Sequence, residues 1–159
     1  ALAPAAGLAA AEDETTAEAS PACVEKAEKV VEKPAPLRHG VFRFTSYPAA
    51  WTAAQETNRP ILVFVTSGSC PHCSRMLGET YQASRVKEFV SDSFETVFVD
   101  RSEQPALAAK LHVKWFPTTL VVGPDNQVID IIEGYVDPAA FSRRLQTTLA
   151  AHSAETQTR

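Results

Sequence analysis

Six consecutive residues, Ile61-Leu62-Val63-Phe64-Val65-Thr66, run without a single charged side chain. A strand with one wet face alternates apolar and polar residues, so a run without alternation belongs to a strand covered on both faces. Such a strand needs helices on either side of its sheet. Phe94 to Asp100 reads as a second strand of the same kind. At strand length, these blocks fall well short of the roughly 18 consecutive apolar residues of a membrane-spanning helix.

The segments between and after these strands carry helix signals. Val41 to Thr45 reads as a short opening strand. Pro48 suits a first helical turn, and a helix is expected from there to about Asn58, where Arg59-Pro60 stops it. Cys70 to roughly Gln82 reads as the next helix, with a further piece from Ser84 to Val90, and Pro105 to Leu111 as a short one. Thr118 to Val122 and Gln127 to Ile132 are two strands joined through Gly123-Pro124-Asp125-Asn126 as an antiparallel hairpin. Asp137-Pro138 starts a last helix that is expected to end near Ala151. The order β-α-β-α-β-α-β-β-α predicts an α/β fold with a mixed central sheet flanked by helices.

All thirteen aromatic residues lie from Phe42 onward, while residues 1–40 are rich in Ala, Glu, Lys and Pro. The first forty residues are therefore expected to form a flexible tail, with a short transient helix around Val24 to Val31. The expected division is a tail over 1–40, a domain over 41–152 and a C-terminal tail over 153–159. The opening small-residue stretch resembles the end of an export signal. The net charge is -4, and most of it falls in the tail, which holds seven acids against four bases. With no clustered Lys/Arg face to neutralise phosphates, nucleic acid is not an expected partner.

Cys70-Pro71-His72-Cys73 carries the chemistry. At a strand-to-helix junction the first cysteine meets unsatisfied backbone N-H groups and the positive end of the helix dipole, which favour a thiolate. The second lies one turn on, within disulfide reach. Cys70 is the expected nucleophile and Cys73 the resolving thiol. Pro71 fits the first turn, and a protonated His72 would favour the Cys70 thiolate further. The competing reading is metal binding, but tetrahedral zinc takes four ligands and the chain adds only Cys23 and scattered His39, His112 and His152. Cys23 is left as an incidental tail cysteine, with a regulatory thiol as the alternative.

With the Ile61–Thr66 strand running into Cys70-Pro71-His72-Cys73, the Phe116-Pro117-Thr118 segment before a strand, and Gly134 after the hairpin, the sequence resembles a thioredoxin-superfamily domain from Val41 to about Ala151. The resemblance implies a compact thioredoxin-like fold and a cis Pro117 beside the disulfide. It further implies a substrate groove in which the backbone before that proline pairs with an extended chain. Trp115, Phe116, Pro117, Thr118 and Tyr135 are the expected groove residues, and an exposed aromatic at Trp115 or Phe116 would hold an apolar segment of a client.

Departures from the family pattern matter too. Ser69 replaces the Trp before the first cysteine of thioredoxins, and Pro71-His72 replaces Gly-Pro. The Pro-His dipeptide is similar to that of periplasmic disulfide-forming oxidases, but Cys73 to Pro117 has no room for their helical insertion. The buried acid of thioredoxins aligns with Phe64 and its lysine partner with Thr96, so no general base awaits Cys73.

These readings predict a thiol-disulfide oxidoreductase, without an organic cofactor or metal, exchanging disulfides with protein thiols and with a redox partner protein. A monomer in a periplasmic or secreted setting is expected, with a cytoplasmic one as the alternative. The rival is a non-catalytic thioredoxin-fold module binding a protein through Trp115, Phe116 and Tyr135. Asp100 and Arg101 read as loop charges.

Overall fold

A computed structural model describes residues 37–158. Cys23 and the helix expected around Val24 to Val31 lie outside the described residues. The central strand is β1 (Ile61–Thr66), every residue of which is buried. It pairs in parallel with β2 (Glu95–Asp100) and antiparallel with β3 (Thr118–Val122), which continues through the hairpin into β4 (Val128–Glu133). The order β2-β1-β3-β4 is a mixed sheet with the uninterrupted apolar strand inside it.

Because side chains alternate across a strand, β1 feeds two cores. Ile61, Val63 and Val65 point to one face and join Val97, Val99, Leu120 and Val122 under α1 (Tyr47–Thr57) and α4 (Pro105–Lys110), where Ala50, Ala54 and Ala108 pack. Leu62 and Phe64 point to the other and meet Phe42, Tyr81, Phe98 and Phe141. That second core lies under the Met76–Thr80 segment that follows α2 (Pro71–Arg75), under α3 (Ser84–Ser93) and under α5 (Pro138–Gln157). Each large side chain so buried contributes about 1.5–3 kcal/mol, which makes this two-faced strand the main anchor of the fold.

The helix boundaries follow local chemistry. Asn58 adopts a left-handed conformation (φ 54°) that stops α1 ahead of Arg59-Pro60. Asp137 caps α5 by accepting from the N-H groups of Ala139 and Ala140, both at 3.0 Å.

Three boundaries differ from expectation. Val41 to Thr45 is not a continuous strand. The backbone of Phe42 is engaged in a tight exchange with Arg38, leaving Phe44 alone to bridge to Val97 on the outer edge of β2. Residues from Leu37 onward thus belong to the folded unit rather than to a tail. The helix after Pro71 becomes a π-helical turn over Met76–Thr80, where Tyr81 N-H reaches the Met76 carbonyl, a spacing that a 3.6-residue period does not reveal. Finally, α5 runs to Gln157, past Ala151 and through most of the expected C-terminal tail. Its last turns are exposed, so no apolar stripe marks them.

Candidate functional site

The carboxyl ends of β1 and β2 and the start of β3 meet at one end of the sheet, a place where open α/β sheets commonly bind their ligands. After β1 the chain passes Ser67, Gly68 and Ser69 and enters α2 at Cys70, the N-cap. Cys70 and Cys73 form a disulfide with their Cα atoms 5.2 Å apart. The Cys73 N-H donates to Cys70 Sγ at 3.2 Å, so a helix N-terminal donor faces the sulfur. Cys70 is half-buried and Cys73 buried, which makes the first cysteine the more exposed of the two. Pro71 and His72 are exposed on the first turn of the helix.

The opposite wall begins at Phe116, whose carbonyl oxygen is 3.7 Å from Cys70 Sγ. The Phe116–Pro117 peptide bond is cis. Pro117 is buried, and Thr118 donates its hydroxyl to the Trp115 carbonyl at 2.7 Å, closing the turn. Trp115 is 66% exposed, while Phe116 packs partly onto the core under α1 and α4. Gly134, in the left-handed region at φ 80°, donates its N-H to the Pro117 carbonyl at 2.7 Å and brings the loop after β4 alongside.

Tyr135 on that loop is tied to the helical segment that follows Cys73. Its hydroxyl donates to Glu79 at 2.7 Å, and the Arg75 guanidinium lies 4.3 Å from its ring centre. Arg75 also pairs with Glu79 at 3.0 Å, and Thr80 donates to the Val136 carbonyl at 2.6 Å. The Tyr135 hydroxyl, and then Arg75, hold Glu79 below the usual carboxylate range, and the same bond pushes the Tyr135 phenol up. Arg75 and Glu79 went unread in the sequence, although their i,i+4 spacing on a helix was visible.

The two positions that the resemblance aligns with the family's proton-transfer pair are structural here. Phe64 is buried against Phe42, Tyr81 and Phe98. Thr96 donates to the Val41 carbonyl at 2.9 Å and accepts from Arg43 N-H at 3.0 Å, which fastens the opening segment to β2. Glu95, with a fully buried side chain, pairs with Arg43 at 3.0 Å on that same strand. Among the described residues no cluster of three or more His, Cys, Asp or Glu could hold a metal ion.

Residues 47–149 match the profile of the family described as a thioredoxin-like domain. A thioredoxin from Thermus thermophilus superposes with a TM-score of 0.61 at 24% identity, over 68% of this chain and 87% of that one. A DsbH oxidoreductase superposes with a TM-score of 0.60 at 21% identity, over 74% of this chain and 90% of that one. At these identities the likeness is one of fold. Spermatogenesis-associated protein 20 of Rattus norvegicus is 29% identical over 90 residues, which are 54% of this chain and 11% of the relative. The chain thus spans a small part of that protein's length.

Proposed function

Because the chain belongs to the thioredoxin-like domain family, we propose that it is a thiol-disulfide oxidoreductase working through Cys70 and Cys73. The observation that carries this reading is the Cys70–Cys73 disulfide at the start of α2, with the more exposed cysteine facing the Phe116 carbonyl. In the reducing direction, the Cys70 thiolate attacks one sulfur of a client disulfide and the client's other sulfur leaves as a thiolate. The Cys73 thiolate then attacks Cys70 Sγ and releases the second client thiolate. The client disulfide is reduced, and the Cys70/Cys73 dithiol is oxidised to the disulfide. The reverse sequence oxidises a client dithiol.

Pro71 and His72 are assigned the tuning of the Cys70 sulfur. Phe116, Pro117 and Thr118 are assigned one wall of the client groove, with the Phe116 backbone as a pairing site for an extended segment and Trp115 as an apolar contact. Tyr135 lines the loop on the other side, where its hydroxyl is already committed to Glu79. Protein thiols and a redox partner protein are the assigned partners. A periplasmic or secreted setting fits the Pro71-His72 dipeptide. No helix among the described residues is long and apolar enough to cross a membrane.

The test is the equilibrium reduction potential of the pair in glutathione buffers, measured in a Cys23→Ser protein so that one couple is read. A value of roughly -120 to -180 mV assigns disulfide donation or isomerisation, and one near about -270 mV assigns reduction with an electron supply. Absence of any reversible couple would overturn the reading and leave a binding module built on the exposed Trp115.

A further inference from the structure

Arg101 follows the last residue of β2, and its N-H donates to the Thr66 carbonyl at 2.9 Å, which fixes it at the same end of the sheet as the disulfide. Its guanidinium lies 5.4 Å from the ring centre of Phe116, and the Phe116 carbonyl oxygen is 3.7 Å from Cys70 Sγ. A single residue, Phe116, therefore connects an exposed cation to the reactive sulfur. Among the described residues Arg38, Arg43, Arg75 and Arg144 each pair with a carboxylate, whereas Arg101, like Arg59, Arg85 and Arg143, has none within 4 Å, and of these four Arg101 is the one whose guanidinium lies over the ring of Phe116.

The acids nearest to it in sequence are committed elsewhere. Asp100 accepts from Ser102 N-H at 2.8 Å, and Glu103 pairs with Arg38 at 3.3 Å. Lys114, exposed beside Trp115, adds a second positive charge before the cis proline, and Glu133 is the acid on the far side, opposite Thr118 in the β3–β4 ladder. The cation-π contact with Phe116 at 5.4 Å draws the guanidinium toward the ring while leaving its N-H groups open to an anion.

Resting on the thiol-disulfide reading above, we propose that Arg101 is a specificity residue that binds a carboxylate side chain flanking the reacting cysteine of the client segment. The segment runs along the Phe116 backbone, with the residue beside its cysteine directed to the guanidinium over the Phe116 ring. One solvent-screened charge pair of this kind changes a rate by a factor of about two to five at low ionic strength.

The experiment uses the full chain with Cys23→Ser, fully reduced, and disulfide-linked dimers of a short peptide in which the residue before or after the single cysteine is Asp, Asn or Lys. Oxidation of the protein is followed by acid quench and mass spectrometry. In one or both placements the Asp peptide reacts about two to five times faster than the Asn peptide and the Lys peptide slower, with the differences shrinking as salt is added. Arg101→Gln brings the Asp-to-Asn ratio close to one, Arg101→Lys retains part of it, and Arg143→Gln on the exposed face of α5 leaves it unchanged. Circular dichroism checks that each variant is folded. An Asp-to-Asn ratio near one in both placements, or a preference that survives Arg101→Gln, would overturn the assignment. Failure of the parent protein to exchange with any peptide would instead bring down the thiol-disulfide reading on which it rests.

Discussion

Cys73, in the first turn of α2, is buried while Cys70, three residues earlier, is half-buried and faces the Phe116 carbonyl at 3.7 Å. The two cysteines of the disulfide are therefore unequal in exposure, and an incoming thiolate is expected to meet Cys70 first.

That inequality predicts where a trapped intermediate forms. With Cys73→Ser, a peptide disulfide leaves a stable mixed disulfide on Cys70, since no resolving thiol remains. With Cys70→Ser the adduct on Cys73 forms at least about tenfold more slowly, because rates of exchange follow access as well as thiolate character. Mass spectrometry of the two variants, both in the Cys23→Ser background, makes the comparison. Equal labelling of Cys70 and Cys73 would contradict it.

Release of that intermediate is expected to be slow. Phe64, which the resemblance aligns with the family's buried acid, is enclosed by Phe42, Tyr81 and Phe98, while Thr96 spends its hydroxyl on the backbone of Val41 and Arg43. Neither side chain can take the Cys73 proton. General bases typically contribute about 10²–10⁴-fold, so the mixed disulfide should live measurably longer than in a thioredoxin that has the acid. Stopped-flow decay of the mixed disulfide measures this, and resolution as fast as in such a thioredoxin would refute it.

What the chain discloses before folding depends on whether the signal is local. The covered strand Ile61–Thr66, the end of α1 ahead of Arg59-Pro60 and the cap at Asp137 were legible because each rests on neighbouring residues. Cys70 and Cys73 were legible for the same reason, three residues apart at a helix start. The Phe42 turn was not, since its competition between Arg38 and the sheet edge is settled by backbone bonds that alternation does not encode. Nor was the buried Glu95, which the sequence places in an apolar strand with no sign of Arg43 fifty-two residues away. The place of Arg101 against Phe116 is likewise a product of the sheet joining distant loops.

Thr96 supplies a test of how the opening segment is held. Its hydroxyl serves two backbone groups at once, donating to Val41 and accepting from Arg43. Thr96→Val keeps the shape but leaves both groups without a partner, at a cost of about 1–3 kcal/mol. Thr96→Ser, which retains the hydroxyl, should lose clearly less. Denaturant unfolding of both variants reads the difference, and equal losses would show that packing of the methyl group rather than the hydrogen bonds holds Val41 in place.

Asp130, on the edge strand β4, is expected to contribute to the acid dependence of stability. Its carboxylate accepts from Arg144 through two nitrogens at 3.0 and 2.8 Å, and from Thr148 at 2.9 Å, joining β4 to α5. Hydrogen bonding from Arg144 holds its pKa below the ordinary value of 3.8, against the opposing effect of partial burial. The same bonds raise the pKa of Arg144. A depressed pKa in the folded state means that unfolding takes up a proton in acid, so the contribution is complete above the unfolded value of 3.8 and declines as pH falls below it. It is lost once pH has passed the lower folded value. Asp130→Asn should therefore destabilise by up to about 1 kcal/mol at neutral pH, the pair being screened by solvent, and show a shallower loss of stability as pH falls below 3.8. Urea unfolding at stepped pH compares the two proteins, with Arg144→Gln and the double variant completing the cycle. If the parent and Asp130→Asn differ by the same amount at pH 7 and pH 2.5, the carboxylate charge is not what joins β4 to α5.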